Sequence, residues 1–230
     1  MLSIIITTNN VKYIEETVNS IYNQLFLPKE YEILIGIDGC EQCAKEILNK
    51  SFVKDTEHVF IFNFKENKGT YITRNTLIKE SYGDELLLFD SDDVMFPNMI
   101  EVIYKYKKKY DVIRFQFNQI NIKGNKHTFE PNYDVYAAGV FFMKKYVWNY
   151  LGGFKSWRFS ADTDFHHRVD KSEKYFVKFI NEQLFLYRMW EKNLTNKIPI
   201  KNRLEKKNEM MYDKKIINVP EYHKDFDVIN

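Results

Sequence analysis

The 230-residue chain is 44% hydrophobic and 17% aromatic, which is enough apolar material for the core of one α/β domain. Its 34 Lys and Arg against 32 Asp and Glu give a formal charge of +2, so it lacks the basic footprint of a nucleic-acid-binding protein. No window approaches the ~18 apolar residues of a membrane-spanning helix, and the N-terminus lacks the features of a secretory leader. We therefore expect a cytoplasmic protein with no transmembrane segment and no nucleic-acid partner.

Strands and helices alternate along the first 110 residues. Each unit begins with an apolar, β-branched run and continues with apolar residues three or four apart, which predicts a buried strand and then a helix. The predicted strands are residues 2–8, 31–38, 58–64 and 85–89. Four such units predict an α/β fold with a mostly parallel, Rossmann-like sheet flanked by helices. Ligands of such sheets bind outside the carboxyl ends of the strands, where this chain has Asn9, Asp38, Asn67 and the aspartates of residues 90–93.

The second half of the chain is less regular. The alternation over residues 111–130 predicts a hairpin with its turn near Gly124–Asn125, and residues 137–190 predict further strands and helices that cover the cleft. We predict one domain over residues 1–195, divided into a ligand-binding half (1–110) and a mixed α+β half (111–195), with a polar tail or helix over residues 196–230.

The tail admits two interpretations. In the first, it docks on the domain as a helix through Leu204, Met210 and Met211, or stays solvated. In the second, its lysines approach an anionic membrane surface. Docking or solvation is favoured, and peripheral membrane contact stays open.

The sequence "LLLFDSDDVMFP" ends a buried strand in three aspartates. Crowded carboxylates repel one another, so a cation is expected among them. Residues i and i+2 of an extended segment point the same way, which directs Asp90 and Asp92 to one ligand and Asp93 to another. Carboxylate oxygens in this number suit Mg²⁺ or Mn²⁺. The alternative is a capped turn before the helix near Asn98.

Two cysteines, Cys40 and Cys43, form a C-x-x-C between a predicted strand and helix. A redox dithiol and half of a zinc site are both compatible with this spacing. A zinc site would need a second paired motif, so two reduced structural cysteines are the favoured interpretation.

Several segments in order resemble family 2 glycosyltransferases of the GT-A fold. They are "SIIITTNN" from Ser3, "IDG" at residues 37–39, "NKGTYITRN" at 67–75, "FDSDDVMFP" at 89–97, "LGGF" at 151–154 and "ADTDFHHR" at 161–168. The resemblance covers about residues 2–195 and implies a GT-A fold. It also implies a nucleotide-sugar-binding first half and an acceptor-side second half.

The resemblance assigns roles to matching residues. Asp38 is similar to the position that holds the nucleotide base, and Thr7 lies in the segment around base and ribose. Arg74 matches a position near the donor nucleotide. Asp90 and Asp92 resemble the D-x-D pair, in which the second acid ligates Mn²⁺ or Mg²⁺ and the first approaches the ribose and the metal's water. Asp162 resembles the general base.

Some positions depart from the family pattern. Ile37 and Ala161 stand where acids are usual, Cys40 where Ser is usual, and Trp190 where His is common. The departures leave the metal pair and the base intact and put the identity of the donor in question.

The implied activity is transfer of a hexose from a nucleoside-diphosphate sugar, with a UDP-sugar favoured, to a hydroxyl of a glycan, lipid or other acceptor with inversion. Two alternatives are kept. The stretch "LLLFDSDDV" also resembles a haloacid-dehalogenase-type phosphatase with Asp90 as nucleophile and Asp92 as acid/base, although that motif normally begins the domain. A non-catalytic nucleotide- or carbohydrate-binding module is the other.

Overall fold

The computed structural model describes residues 1–121, 126–127, 137–189 and 198–229, and these residues contain a mixed sheet of ten strands. The strands are β1 (Leu2–Thr8), β2 (Tyr31–Asp38), β3 (Val59–Phe64), β4 (Glu85–Asp90), β5 (Val94–Met95), β6 (Val112–Asn121), β7 (Lys126–His127), β8 (Phe141–Lys144), β9 (Val177–Met189) and β10 (Phe226–Ile229). The helices are α1 (Ile14–Tyr22), α2 (Glu41–Ile47), α3 (Thr70–Glu80), α4 (Met99–Tyr106), α5 (Lys145–Leu151), α6 (Ala161–Ser172) and α7 (Ile200–Tyr212), and a 3₁₀ turn spans Ser51–Lys54.

The first half of the sheet is parallel. β1 pairs with β2 on one side and β4 on the other, and β2 pairs with β3. Every residue of β1 is buried, with Ile4 and Ile6 in the core under α1, α2 and α4, and Ile5 in the core under α3, α5 and α6. Burial on both faces explains why this strand is a continuous apolar run rather than an alternating one.

The carboxyl ends of these parallel strands form one edge of the sheet. Thr7 pairs in register with Gly36 on one side and Asp90 on the other, and Asp38 pairs with Phe64. The fold therefore brings the ends of β1, β2, β3 and β4 together, as the predicted βα units required. We call this edge the donor edge.

The second half extends the sheet with antiparallel pairs. β8 lies between β4 and β6 and is antiparallel to both, while β9 runs parallel to β6 with two register shifts. β5 pairs with β9 in antiparallel register. β6 and β7 form the antiparallel pair expected of the hairpin, and the predicted turn at Gly124–Asn125 lies outside the described residues, as does Trp190.

The C-terminal segment adds a strand to the opposite end of the sheet. β10 pairs in antiparallel register with β3. In α7, Met210 is buried against the domain, whereas Leu204 and Met211 are exposed, so only one of the three predicted docking residues docks. Among the described residues, no helix has both the length and the apolar character needed to cross a membrane.

Most predicted elements are present with small shifts at their ends. α1 ends at Tyr22. Leu25, which continues the three- and four-residue spacing of Ile14, Val18 and Ile21, therefore lies beyond the helix and is largely exposed. α4 likewise ends at Tyr106, before the run of lysines. β5 and β10 were not predicted, because a two-residue strand shows no periodicity and β10 pairs with a strand far away in the sequence.

Candidate functional site

Arg74 joins two of the predicted site carboxylates at the donor edge. It projects from the first half of α3, is only 1% exposed, and donates from Nη2 to Oδ1 of Asp90 at 2.5 Å. Asp162 lies in the first turn of α6, and the positive charge of Arg74 lowers the pKa of its carboxyl against the effect of burial. Three separate elements, α3, β4 and α6, therefore contribute to one charged cluster.

Opposing effects act on the pKa of the Asp162 carboxyl. Burial raises its pKa above the ordinary value, while Arg74, the Thr163 N–H at 2.7 Å and the Tyr71 hydroxyl oppose this rise, and the charge of Asp90 adds to it. The side chain keeps partial exposure to solvent. A carboxylate with a raised pKa that is still reachable from the cleft combines the basicity and the access that a general base needs.

Tyr71 is a site residue that sequence reasoning missed. It is almost fully buried, its hydroxyl hydrogen-bonds with Asp162, and burial together with the Asp162 charge raises its pKa well above the ordinary value. The phenol therefore stays protonated and donates to the carboxylate. Tyr71 and Arg74 are three residues apart on α3, and this helical spacing was a usable signal.

Among the aspartates of residues 90–93, Asp93 faces the protein interior. Its Oδ1 accepts the Arg188 N–H at 2.9 Å, and its Oδ2 has no hydrogen-bond partner among the described residues. Burial, followed by the charges of Asp90 and Asp92, raises the pKa of Asp93 well above its usual range. The expectation that Asp93 faces a second ligand is wrong, because the carboxyl is completely enclosed.

The turn that carries Asp92 is held from two sides. Arg188 on β9 donates from Nε to the Asp92 carbonyl at 2.9 Å, and from Nη2 to Glu16 at 2.7 Å. On the other side, the Thr17 hydroxyl lies 2.9 Å and 2.8 Å from the carbonyl oxygens of Ser91 and Asp93. Helix α1 and strand β9 thus fix the backbone that presents the Asp92 carboxylate.

The carboxylates of this turn suit a divalent cation whose coordination shell is completed by ligands from outside the protein. Within the described residues, no three His, Cys, Asp or Glu side chains converge to enclose a metal. Mg²⁺ and Mn²⁺ are commonly bound through one or two carboxylates, with water and substrate phosphates completing the shell. Asp90 and Asp92 supply two carboxylates to this turn, and Asp90 is also paired with Arg74.

Asp38 is at the donor edge, with its carboxylate engaged by the neighbouring loop. Oδ1 accepts the Lys68 N–H and Oδ2 accepts the Gly69 N–H, both at 2.9 Å, and Asn67 donates to the Asp38 carbonyl at 2.8 Å. Gly39 has φ +61°, and a Cβ there would lie 2.1 Å from the Asn67 nitrogen. The loop after β2 and the loop before α3 therefore interlock, and Asp38 shapes this part of the edge as well as lining it.

Gly139 is a second site residue missed from sequence. A Cβ at this position would lie 2.8 Å from Oδ2 of Asp90, so the backbone just before β8 packs closely against that carboxylate. The preceding carbonyl of Ala138 lies 3.2 Å from Nε2 of His166, which is fully buried. His167 is exposed. Of the two adjacent histidines, one therefore lies in the core and the other at the surface. No sequence signal indicated the contact between Gly139 and Asp90.

Cys40 and Cys43 form a disulfide, so the expectation of two reduced cysteines is wrong. Cys40 is the residue before the first turn of α2, and the turn brings the two Cα atoms to 5.2 Å, within the range that a disulfide spans. With both sulfurs bonded to each other, the zinc interpretation has no thiolate ligands.

Comparison with known proteins gives the same assignment. The family described as "Glycosyl transferase family 2" matches residues 3–180, and the chain belongs to that family. The glycosyltransferase GlyG of Streptococcus pneumoniae is 24% identical over 217 residues, covering 82% of this chain and 70% of GlyG. Several other curated relatives are longer, and the chain spans between 14% and 46% of their length.

Solved structures share the fold. S. aureus TarS 1-349 in complex with UDP-GlcNAc superposes with a TM-score of 0.69 at 15% identity, over 86% of this chain and 61% of that one. The mannosyltransferase PcManGT from Pyrobaculum calidifontis in complex with GDP-Man and Mn²⁺ gives 0.67 at 12% identity, over 84% and 58%. The fold is GT-A, as the resemblance implied.

Proposed function

We propose that the protein transfers a hexose from a nucleoside-diphosphate sugar to an acceptor hydroxyl with inversion. The single observation that carries the proposal is the Arg74 cluster: a buried guanidinium between the end of β4, which holds Asp90, and the start of α6, which holds Asp162. The acceptor class is a hydroxyl of a glycan, a lipid or another molecule. UDP-sugars are the first donors to test, because relatives with this fold bind UDP-GlcNAc and GDP-Man.

The donor lies along the donor edge in this proposal. Thr7 and the backbone around Asp38 contact base and ribose, since both residues lie at the carboxyl ends of adjacent strands. Asp90 approaches the ribose, and Arg74 fixes the Asp90 carboxylate while adding positive charge near the diphosphate. Asp92, with Asp90, holds Mn²⁺ or Mg²⁺, which when bound stabilises the negative charge of the departing diphosphate.

Asp162 removes the proton from the attacking hydroxyl. Its pKa is raised by burial, so the carboxylate is a stronger base than an exposed aspartate, and Tyr71 holds it through a hydrogen bond. The positive charge of Arg74 opposes the rise in that pKa. A single displacement with the base on the acceptor side inverts the anomeric centre.

The phosphatase alternative is disfavoured by the position of Asp90 in the chain and by the family match. The phosphatase motif normally begins the domain, whereas three strands, β1 to β3, precede the strand that ends in Asp90, and residues 3–180 match a glycosyltransferase family. The alternative of a binding module without turnover predicts nucleotide binding without product.

The test is turnover of a donor panel. The full chain is incubated with UDP-, GDP- and TDP-sugars, Mn²⁺ and simple glycoside acceptors, and release of the nucleoside diphosphate is followed by mass spectrometry. Wild type should release one diphosphate and Asp162→Asn should not, although both bind the nucleotide. Equal release by the two proteins refutes the role of Asp162, and binding without any release favours the binding module.

A further inference from the structure

His223 reaches the donor edge from the far end of the chain. It lies just before β10 and is 5% exposed, with its ring stacked on Phe64 at 4.0 Å between centroids. Nε2 lies 3.0 Å from the Thr73 hydroxyl and 3.6 Å from Oδ1 of Asp38. Its backbone N–H donates to Thr76 at 2.8 Å. One imidazole thus contacts the end of β2, the end of β3 and the first half of α3.

These contacts form the inner side of the interlocked loops described above. Asp38 holds the loop over residues 67–69 through the N–H groups of Lys68 and Gly69, while His223 lies beside the same carboxylate. A hydroxyl and a neutral imidazole can each donate or accept, so Thr73 and His223 remain paired in either tautomer. The carboxylate of Asp38 therefore accepts two backbone amides, and its Oδ1 also lies beside His223.

The sequence that matches the family ends at residue 180, so His223 lies outside it. The contact depends on the C-terminal segment, which returns to the sheet as β10 beside β3. Phe226, three residues after the histidine, packs on Phe62 and Phe64 at 5.6 Å and 5.3 Å between ring centroids. This packing anchors the segment to β3. The segment therefore has its own apolar anchor and does not need the buried polar contact in order to dock.

We propose that His223 is a positioning residue for the donor nucleotide: through Asp38 and Thr73 it holds the loop of residues 67–69 in the shape that receives the base and ribose. The inference rests on the proposed function, because it assumes that a nucleotide occupies the donor edge. A residue that only filled space would affect stability. A positioning residue affects nucleotide affinity beyond its effect on stability.

The chain offers a matched control in the adjacent residue. Tyr222 is half-buried against Trp148, at 6.4 Å between centroids, and lies beside Lys79. It belongs to the same segment, and its ring contacts are with Trp148 and Lys79. Tyr222→Leu should weaken docking of the segment without removing the imidazole, whereas His223→Ala removes the imidazole and leaves the Phe226 anchor.

The experiment titrates UDP and GDP, each with Mn²⁺, into the wild-type chain, four single variants and the double variant His223→Ala/Thr73→Val by calorimetry, and measures Tm for each protein. We expect His223→Ala to weaken binding of the preferred nucleotide by about tenfold, the factor that corresponds to about 1.4 kcal/mol. His223→Gln, whose amide can reach Thr73, should recover most of that loss. Thr73→Val should weaken binding, and its effect should be less than additive with His223→Ala. Tyr222→Leu should lower Tm and leave affinity within about twofold of wild type.

Unchanged affinity in both His223→Ala and Thr73→Val, with wild type binding normally, overturns the inference and leaves the proposed function standing. Equal losses of affinity in Tyr222→Leu and His223→Ala also overturn it, because docking of the segment alone would then explain the effect. If His223→Ala does not fold, His223→Gln and Thr73→Val carry the comparison. Failure of the wild type to bind any nucleotide overturns the proposed function and this inference with it.

Discussion

Replacing Arg74 by Met tests the charged cluster directly. The substitution keeps much of the side-chain volume and removes the charge between Asp90 and Asp162. Breaking a buried ion pair costs about 3–5 kcal/mol, and the lower end applies because the Asp90 side chain is 30% exposed and can be rehydrated. Arg74 Nε is buried and has no hydrogen-bond partner among the residues that the structure describes, so its removal returns about 1–2 kcal/mol. The net loss is about 1–2 kcal/mol.

That loss corresponds to a fall in Tm of about 2–8 °C for a chain of this size, measurable by circular dichroism at pH 7.5. Arg74→Met should also raise the pKa of Asp162 further, because the charge that lowers it is gone. The acidic limb of the pH–rate profile should therefore move to higher pH. Arg74→Lys retains the charge and should shift both quantities less. A Met variant with the wild-type Tm and an unmoved acidic limb would refute the cluster as described.

Three further predictions concern Asp162, Gly139 and the two cysteines. Burial raises the pKa of Asp162 in the folded state, so the ionised carboxylate destabilises the fold at pH values above that pKa. This loss of stability fades as the pH falls towards the unfolded-state pKa of about 3.9. Asp162→Asn should hence raise Tm at pH 7.5 and lose that advantage near pH 4, and a lower Tm at both pH values would contradict this sign. Gly139→Ala should reduce transfer, because its methyl group must displace the Asp90 carboxylate. The Tm should change little, because the backbone at this position stays unstrained. Turnover at the wild-type rate would disprove the close packing of this backbone on Asp90. Cys40 and Cys43 should resist alkylation until a reductant is added, and ready labelling of the unreduced protein would show free thiols.

The strands of the first half could be predicted because each is buried on both faces, which leaves a continuous apolar run bounded by polar residues. The placement of Asp38 and Asp90 at the ends of strands on either side of β1 followed from the same pattern, since parallel strands end at one edge. These parts depend on local sequence and on one general rule of α/β folds.

What escaped prediction depends on contacts between distant segments. The inward orientation of Asp93 is fixed by Arg188 on β9. The close approach of Gly139 to Asp90 arises only because β8 pairs with β4. The position of His223 requires β10 to pair with β3, and a strand of four residues is too short to carry a periodic signal. The disulfide likewise needed the distance between Cα atoms, because the C-x-x-C spacing is compatible with several states.

The most direct test of a metal-assisted nucleotide-sugar site is a thermal-shift panel of UDP, GDP, TDP and CMP, each with and without Mn²⁺, on wild type and Asp92→Asn. A nucleotide at 100 times its dissociation constant stabilises by about 2.7 kcal/mol, or about 5–11 °C for a chain of this size. We expect one diphosphate to raise the Tm of wild type only with Mn²⁺, and the rise to be lost in Asp92→Asn. No rise with any nucleotide, or an equal rise in Asp92→Asn, would contradict the assignment of this edge to a donor held through Asp92.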